Sequence, residues 1–180
     1  MDYQGWGYLM RTLFLRKRRL VLTSILASTC LLQSVELPLA ATATSSFSVT
    51  ITLAATCTVA SPNTLDFGTQ GVLSANVDQT TTFTVTCTNT TPYTVALDAG
   101  TGSGATVATR KMTSGAATVN YTLYRDAGRT NVWGVTTGTD TVAGTGNGAA
   151  QTLTVYGRVP SQTTPAPGTY TDTINVTVTY

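Results

Sequence analysis

The amino-acid sequence predicts an all-β protein built as an antiparallel β-sandwich. Threonine, which favours strands over helices, occurs 41 times in 180 residues and outnumbers the 10 basic and 8 acidic residues together. Apolar and polar residues alternate with a period of two in several short runs, and clusters of Gly, Pro, Asn and Asp separate these runs. Because no segment shows a sustained helical period, short strands around one core are expected.

The first 43 residues have the order of a secretory signal peptide. Five of the ten basic residues precede an apolar run over residues 20–32, and Ala41-Thr42-Ala43 offers a cleavage site. The apolar run is shorter than a transmembrane helix requires. Two alternatives remain open, since Cys30 could accept a lipid and Met10 could be the true start. In each case we expect export, followed by a mature chain of about 137 residues, enough for one core.

Six alternating runs of the remaining chain predict strands with one apolar and one threonine-rich face. In order, they cover residues 47–53, 82–87, 93–97, 119–123, 152–155 and 170–180. Asp172 is the one break in the last run. Turns are expected at the clusters 61–63, 100–104, 144–148 and 165–168.

The composition after residue 43 argues against most kinds of active site. Five basic and six acidic residues leave a net charge of −1, so nucleic-acid binding has no electrostatic support. His is absent from the whole chain and Glu from this part, which rules out a catalytic Ser-His-Asp or Cys-His arrangement. The glycine clusters lack the Lys of a phosphate loop, and the calcium-loop pattern is missing. We therefore predict no enzyme, no cofactor, no metal site and no small-molecule substrate.

Two cysteines, Cys57 and Cys87, follow the signal peptide. In an exported protein a disulfide is the default expectation, and closing a loop of this length would stabilise the fold by roughly 3–4 kcal/mol. The alternative is a pair of buried free thiols.

Aromatic and charged residues between positions 121 and 133 suggest two further features. Tyr121, Tyr124 and Trp133 could form a carbohydrate platform, although packing in the core is the favoured interpretation. Arg125, Asp126 and Arg129 could form a salt-bridged turn, in which we see no functional site.

The run 47–53 follows closely on the predicted new N-terminus, where order has to be supplied by docking. Its four apolar side chains would cost solubility if they stayed exposed. They must dock either in the chain's own sheet or in that of another molecule. The expected organisation is thus a signal peptide at 1–43, a docking segment at 44–54 and a sandwich domain at 55–180.

A set of short motifs, in this order and spacing, resembles the spore coat protein U domain family, which includes pilins of archaic, Csu-type chaperone–usher pili. The resemblance is strongest at residues 121–127 and 129–134. The other motifs that carry it lie at residues 57–59, 65–69, 85–88, 92–100, 155–160 and 167–173, together with the aromatic end Tyr180.

The resemblance implies an incomplete immunoglobulin-like sandwich that lacks its last strand. A groove beside the C-terminal strand would be filled first by a periplasmic chaperone and then, at the outer-membrane usher, by the N-terminal strand of the next subunit. It also implies a disulfide between Cys57 and Cys87. The implied donor residues are Phe47, Val49, Ile51 and Leu53. The implied groove residues are Ile174, Val176, Val178 and Tyr180.

The function implied by this resemblance is that of an extracellular pilus subunit serving adhesion and biofilm formation. Its partners would be other pilin subunits, the chaperone and the usher. Two alternatives stay open: a secreted spore or cell-surface coat protein with the same fold, and a monomeric binding module whose own N-terminal strand completes the sandwich.

Overall fold

A computed structural model describes residues 40–60 and 62–180. The predicted signal peptide lies outside the described residues, except for its last four positions. The chain divides into two units, Met1–Ser48 and Val49–Tyr180. The described part of the first unit, residues 40–48, is exposed and has no regular secondary structure, whereas the second unit holds all the strands described below. Within the described ranges, no helix is long and apolar enough to cross a membrane.

Eight strands form the second unit. They are β1 (Cys57–Val59), β2 (Val77–Cys87), β3 (Pro92–Leu97), β4 (Arg110–Ser114), β5 (Ala117–Tyr124), β6 (Val142–Thr145), β7 (Ala150–Val159) and β8 (Val176–Thr179). They pair in two antiparallel sheets: one has the order β1-β2-β7-β5-β4, and the other has the order β6-β3-β8. The prediction of an all-β antiparallel sandwich is confirmed.

The core lies between the inner faces of the two sheets, and the alternation of the sequence selects which side chains enter it. Every second residue of the central strands is buried because successive side chains of a strand point to opposite faces. The buried residues of β2, β3, β5 and β7 include Phe83, Val85, Tyr93, Val95, Leu97, Val119, Tyr121, Leu123, Val155 and Val159. The intervening threonines lie on the outer face and are exposed or half-buried.

The structure corrects several predicted strand boundaries. Strand β2 begins at Val77, five residues before the predicted run, and β7 runs from Ala150 to Val159 rather than from 152 to 155. Three strands escaped prediction: β1, which has only three residues, β4, which is mostly polar, and β6, which overlaps the predicted turn at 144–148. The predicted strand 47–53 has no strand structure in this chain.

The predicted C-terminal strand 170–180 is split between the two sheets. Thr171 exchanges backbone hydrogen bonds of 2.8 and 3.1 Å with Thr113 of β4, at the edge of the five-stranded sheet. The chain then crosses over and pairs with β3 of the other sheet as β8, starting at Val176. The crossing begins at Asp172, the residue that breaks the alternation.

The predicted disulfide joins Cys57 of β1 to Cys87 at the end of β2. The two cysteines are direct partners in the antiparallel register. The preceding residue is also fixed, because the Thr88 amide donates to the Thr56 carbonyl (3.0 Å) and the Thr56 amide donates to the Thr88 hydroxyl (3.2 Å). The hydrogen bonds that tie this part of the chain to the sheet thus begin at Thr56.

Candidate functional site: a groove beside the C-terminal strand

An open groove of about 1210 Å³ exposes part of the core of the sandwich. Its floor is the inner face of the five-stranded sheet, with Phe83 from β2, Val155 and Val159 from β7, and Val119 and Leu123 from β5. These side chains come from strands that are far apart in sequence. The five-stranded sheet is covered by a sheet of only three strands.

One wall of the groove is the C-terminal segment. Ile174 and Val176, two of the four groove residues implied by the resemblance, line the groove and are half-buried. Val178 is also half-buried and packs against the core, whereas Tyr180 follows the strand and is 58% exposed. Among the described residues, β8 pairs only with β3 and forms one edge of the three-stranded sheet. An edge strand presents unpaired backbone donors and acceptors, so this wall can accept another strand.

The opposite wall is the irregular segment 62–73, which crosses the inner face of the five-stranded sheet. Phe67 and Leu73 from this segment are buried, and Leu65 packs against the core. Gly157 of β7 makes the close approach possible, because a Cβ at this position would lie 2.5 Å from Leu65 Cδ2 and 2.9 Å from Phe67 Cζ. No periodic pattern of apolar residues predicted this wall.

The predicted donor residues form a contiguous apolar row in an exposed segment. Phe47, in the first unit, is 88% exposed, and Val49, Ile51 and Leu53, in the second, are 85%, 83% and 82% exposed. Such exposure of four large alternating side chains is unusual in a monomeric protein.

A polar network lines the groove where the C-terminal segment crosses between the sheets. The Tyr121 hydroxyl, from the floor, donates to Asp172 Oδ2 at 2.7 Å. Burial and this hydrogen bond raise the pKa of Tyr121 well above its ordinary value, so the phenol remains the donor. Sequence analysis identified Asp172 as the break in the alternation but assigned it no role.

Arg110 fixes the loops behind this end of the groove. Its side chain is fully buried and donates to four backbone carbonyls: Asp98 (2.8 Å), Val107 (2.7 Å), Leu97 (3.0 Å) and Trp133 (2.7 Å). Burial lowers the pKa of Arg110, and nearby Tyr and Asp groups oppose this shift. The guanidinium satisfies carbonyls that would otherwise lie unpaired in the interior, which makes it a structural group.

The aromatic residues singled out in the sequence belong to the fold, as the favoured interpretation predicted. Trp133 is 1% exposed, and its indole N–H donates to the Val95 carbonyl at 2.9 Å. Tyr121 is also buried, while Tyr124 is half-buried in β5. These rings therefore present no carbohydrate platform.

Arg125, Asp126 and Arg129, which could have formed a salt-bridged turn, make other contacts. Asp126 instead accepts hydrogen bonds from the Thr130 and Asn131 backbone amides, which cap the turn. Arg129 reaches back to Asp78 of β2, at 3.4 Å, and lies over the ring of Tyr156. Within residues 40–60 and 62–180, no group of three or more His, Cys, Asp or Glu is arranged to hold a metal ion.

The family model for the Spore Coat Protein U domain matches residues 43–177, three quarters of the sequence. The chain belongs to this family. Among curated proteins, Protein U of Myxococcus xanthus is 34% identical over 156 residues, covering 78% of this chain and 87% of that protein.

A solved structure also resembles this chain. It is the chaperone–tip adhesion subunit pre-assembly complex from the archaic chaperone–usher Csu pili of Acinetobacter baumannii. The match has a TM-score of 0.50 and 23% identity, and it covers 72% of this chain and 40% of the matched chain. This chain therefore spans less than half of the matched one, and what the two share is the immunoglobulin-like all-β fold.

Proposed function

We propose that this protein is a fibre subunit in which residues 47–53 of one copy fill the groove of the next. The observation that carries the proposal is that one chain exposes both halves of a missing contact. It has an apolar strand-forming segment without a partner strand, and a groove with core residues at its floor. A contact of this kind is head-to-tail and does not close on itself, so it generates a filament.

The energy of the contact is sufficient for a stable fibre. Burying four apolar side chains contributes roughly 6–12 kcal/mol, and each hydrogen bond to the free edge of β8 adds about 0.5–1.5 kcal/mol. The loss of translational and rotational freedom opposes association by several kcal/mol. The net free energy of association that remains is expressed mainly as slow dissociation of neighbouring subunits.

Assembly and cellular role follow from the same groove. An exposed core would cause aggregation during export, so a periplasmic chaperone covers the groove until an outer-membrane usher exchanges it for the next subunit. The resulting extracellular pilus serves adhesion and biofilm formation. The likeness to a chaperone–usher pilus complex supports this assignment at the level of the fold.

A chain lacking residues 44–54 tests the mechanism. It keeps the groove but has no segment to donate, so it should bind the chaperone but fail to polymerise on its own. When it is co-expressed with the full chain, at most one copy should enter each fibre, at the end where no donated segment is required. A matched control replaces Ser48, Thr50 and Thr52, on the polar face of the segment, with alanine, and it should assemble normally. Normal polymerisation of the chain lacking 44–54 would show that the mechanism is wrong.

A second candidate function is a secreted coat protein, which the family description and the similarity to Protein U favour. Such a protein would use the same fold on a spore or cell surface. Genes for a chaperone and an usher beside this one favour the pilus. Surface deposition in a strain that lacks the usher would favour the coat. A monodisperse monomer whose own residues 47–53 pair with β8 would instead indicate a self-completed binding module.

A further inference from the structure

The point where the folded domain begins and the end of its C-terminal strand lie at the same end of the sandwich. Strand β2 finishes at Cys87, which is bonded to Cys57, and after a short turn β3 begins at this same end. Thr179 of β8 pairs with Thr94 of β3, so β8 runs toward this end and Tyr180 lies there. We call it the disulfide end of the sandwich.

A short tether joins the donor row, residues 47–53, to the disulfide end. Thr56 is held by two hydrogen bonds with Thr88, and the disulfide fixes the residue that follows it. Only Ala54 and Ala55 stand between Leu53, the last residue of the donor row, and Thr56. Three residue steps of fully extended chain span at most about 11 Å, so Leu53 stays within about 11 Å of this anchor.

This reach limits the direction in which a chain can fill its own groove. The donor row is about 20 Å long when extended, at about 3.3 Å per residue. In a strand antiparallel to β8, Phe47 would be nearest the disulfide end, and Leu53 would lie at least about 20 Å from it, nearly twice the span of the tether. In a parallel strand, Leu53 would instead be nearest this end. A chain can therefore insert its own donor row only parallel to β8.

A second copy of the chain is free of this restriction. If its donor row inserts antiparallel to β8, its Leu53 lies toward Ile174, on the side of the groove away from the acceptor's disulfide end. The acceptor's own tether then stays free to reach the next subunit. Parallel insertion would bring two disulfide ends and two tethers to one place, and parallel pairing is also slightly less stable per residue.

We propose that the short tether keeps a chain from filling its own groove in the antiparallel direction and so reserves this position for a second copy. This inference rests on the proposed function and names what regulates the same groove. It agrees with the exposure of Val49, Ile51 and Leu53, which are 82–85% exposed in the single chain. A longer tether would let a chain complete itself, because an intramolecular segment has an effective concentration in the millimolar range, about a thousandfold above a micromolar subunit concentration.

Insertions of Gly and Ser between Ala54 and Ala55 of the full chain test the tether. Eight residues add about 27 Å of reach, which is more than antiparallel self-insertion needs, whereas two residues add only about 7 Å and leave the tether too short. The two-residue chain is therefore the matched control. A second control carries the same eight residues after Gly115, in the exposed turn between β4 and β5.

We expect fibres from the natural chain and from both controls. The chain with the eight-residue tether should lose its fibres and be released as a monodisperse monomer, which light scattering measures. An insertion of five residues, which adds about 17 Å, replaces the eight if that chain does not accumulate.

Cross-linking locates the donor row in each chain. Leu53→Cys is combined with Ile174→Cys, or with Tyr170→Cys farther along the groove, and the exported protein is treated with a short bifunctional thiol reagent. Neighbouring strands bring Cβ atoms to about 4.5–5.5 Å at opposite positions. We expect a ladder of joined chains with the natural tether and a cross-link within one chain with the long tether. Phe47→Cys with Ile174→Cys, the pair that a parallel strand brings together, should give little product.

The outcomes separate the tether from the proposed function. A long-tether chain that still forms fibres, with cross-links only between chains, would overturn the inference and leave the proposed function intact. A cross-link from position 53 to position 174 within one chain of natural tether would also overturn it. A dominant product from Phe47→Cys would do the same, because the tether does not restrict a parallel strand. Absence of both fibres and cross-links between natural-tether chains would overturn the proposed function as well.

Discussion

Replacing Ile51 with alanine should weaken the contact between subunits without weakening the subunit itself. Ile51 is 83% exposed in the single chain, so its truncation removes almost no packing there. In the proposed fibre the same side chain lies over the groove floor, near the middle of the donor row. Ile51→Ala should therefore weaken the contact between subunits without weakening the fold of the single chain, whereas a substitution in the groove would affect both.

The size of the effect follows from the burial expected in the groove. Truncation of a buried isoleucine to alanine typically costs about 2–5 kcal/mol. That loss corresponds to roughly 30- to 5,000-fold in the dissociation constant of each junction, and most of it should appear in the dissociation rate. The free energy of unfolding of the unassembled chain should change by less than about 0.5 kcal/mol, as is usual for a surface substitution.

The assay compares fibre dissociation with subunit unfolding for the same variant. Fibre length is followed after dilution, and thermal unfolding is measured on the unassembled chain. Thr52→Ala, on the opposite face of the same segment, serves as the matched control and should leave the dissociation rate nearly unchanged. The reasoning is refuted if Ile51→Ala and Thr52→Ala dissociate equally fast, or if Ile51→Ala destabilises the unassembled chain by several kcal/mol.

Three further predictions concern the stability of the sandwich. Arg110→Met should lower the free energy of unfolding by at least about 3 kcal/mol in a denaturant titration, because four backbone carbonyls lose their donor. The fluorescence of Trp133 should change as the loop around it loosens. A variant with unchanged stability and native fluorescence would contradict this prediction. Reduction of the Cys57–Cys87 disulfide should cost roughly 3–4 kcal/mol, and a calorimetric scan with and without reductant measures it. The hydrogen bond from Arg158 lowers the pKa of Asp78. The ionised Asp78 therefore contributes to the free energy of unfolding above about pH 4, and this contribution is lost as the pH falls through the lowered pKa. The difference in stability between wild type and Asp78→Asn should therefore shrink between pH 5 and pH 2, and a constant difference would argue against this linkage.

The alternation of the sequence predicted the central strands, because strands with one buried face need an apolar residue at every second position. It missed β4 because that strand, beginning at Arg110, is held by a fully buried charged side chain instead of an apolar row. It missed β6 because Gly144 resembles a turn residue, although it packs against Tyr93 and a Cβ there would lie 2.4 Å from the ring. The split of the last strand at Asp172 depends on hydrogen bonds to residues about 50 and 70 positions away, which no local pattern contains.

The candidate site was predictable in part. Its wall at Ile174 and Val176 lies in an alternating run, and the exposed row beginning at Phe47 was expected to need a partner. The floor was not predictable, since it is assembled from β2, β5 and β7 only after the sheet forms. The opposite wall, at residues 62–73, has no periodicity that would distinguish it from an ordinary loop.

The bond between Cys57 and Cys87 has a mechanical consequence for a fibre under tension. A pull on residues 47–53 reaches the folded unit at Thr56 and then at β1, a three-residue edge strand whose hydrogen bonds would break one after another if loaded from its end. The covalent link instead carries the force directly into β2, the eleven-residue strand that pairs along nearly its whole length with β7. The force is thus borne by the many hydrogen bonds between β2 and β7, which are loaded in shear, and not by the few hydrogen bonds of β1.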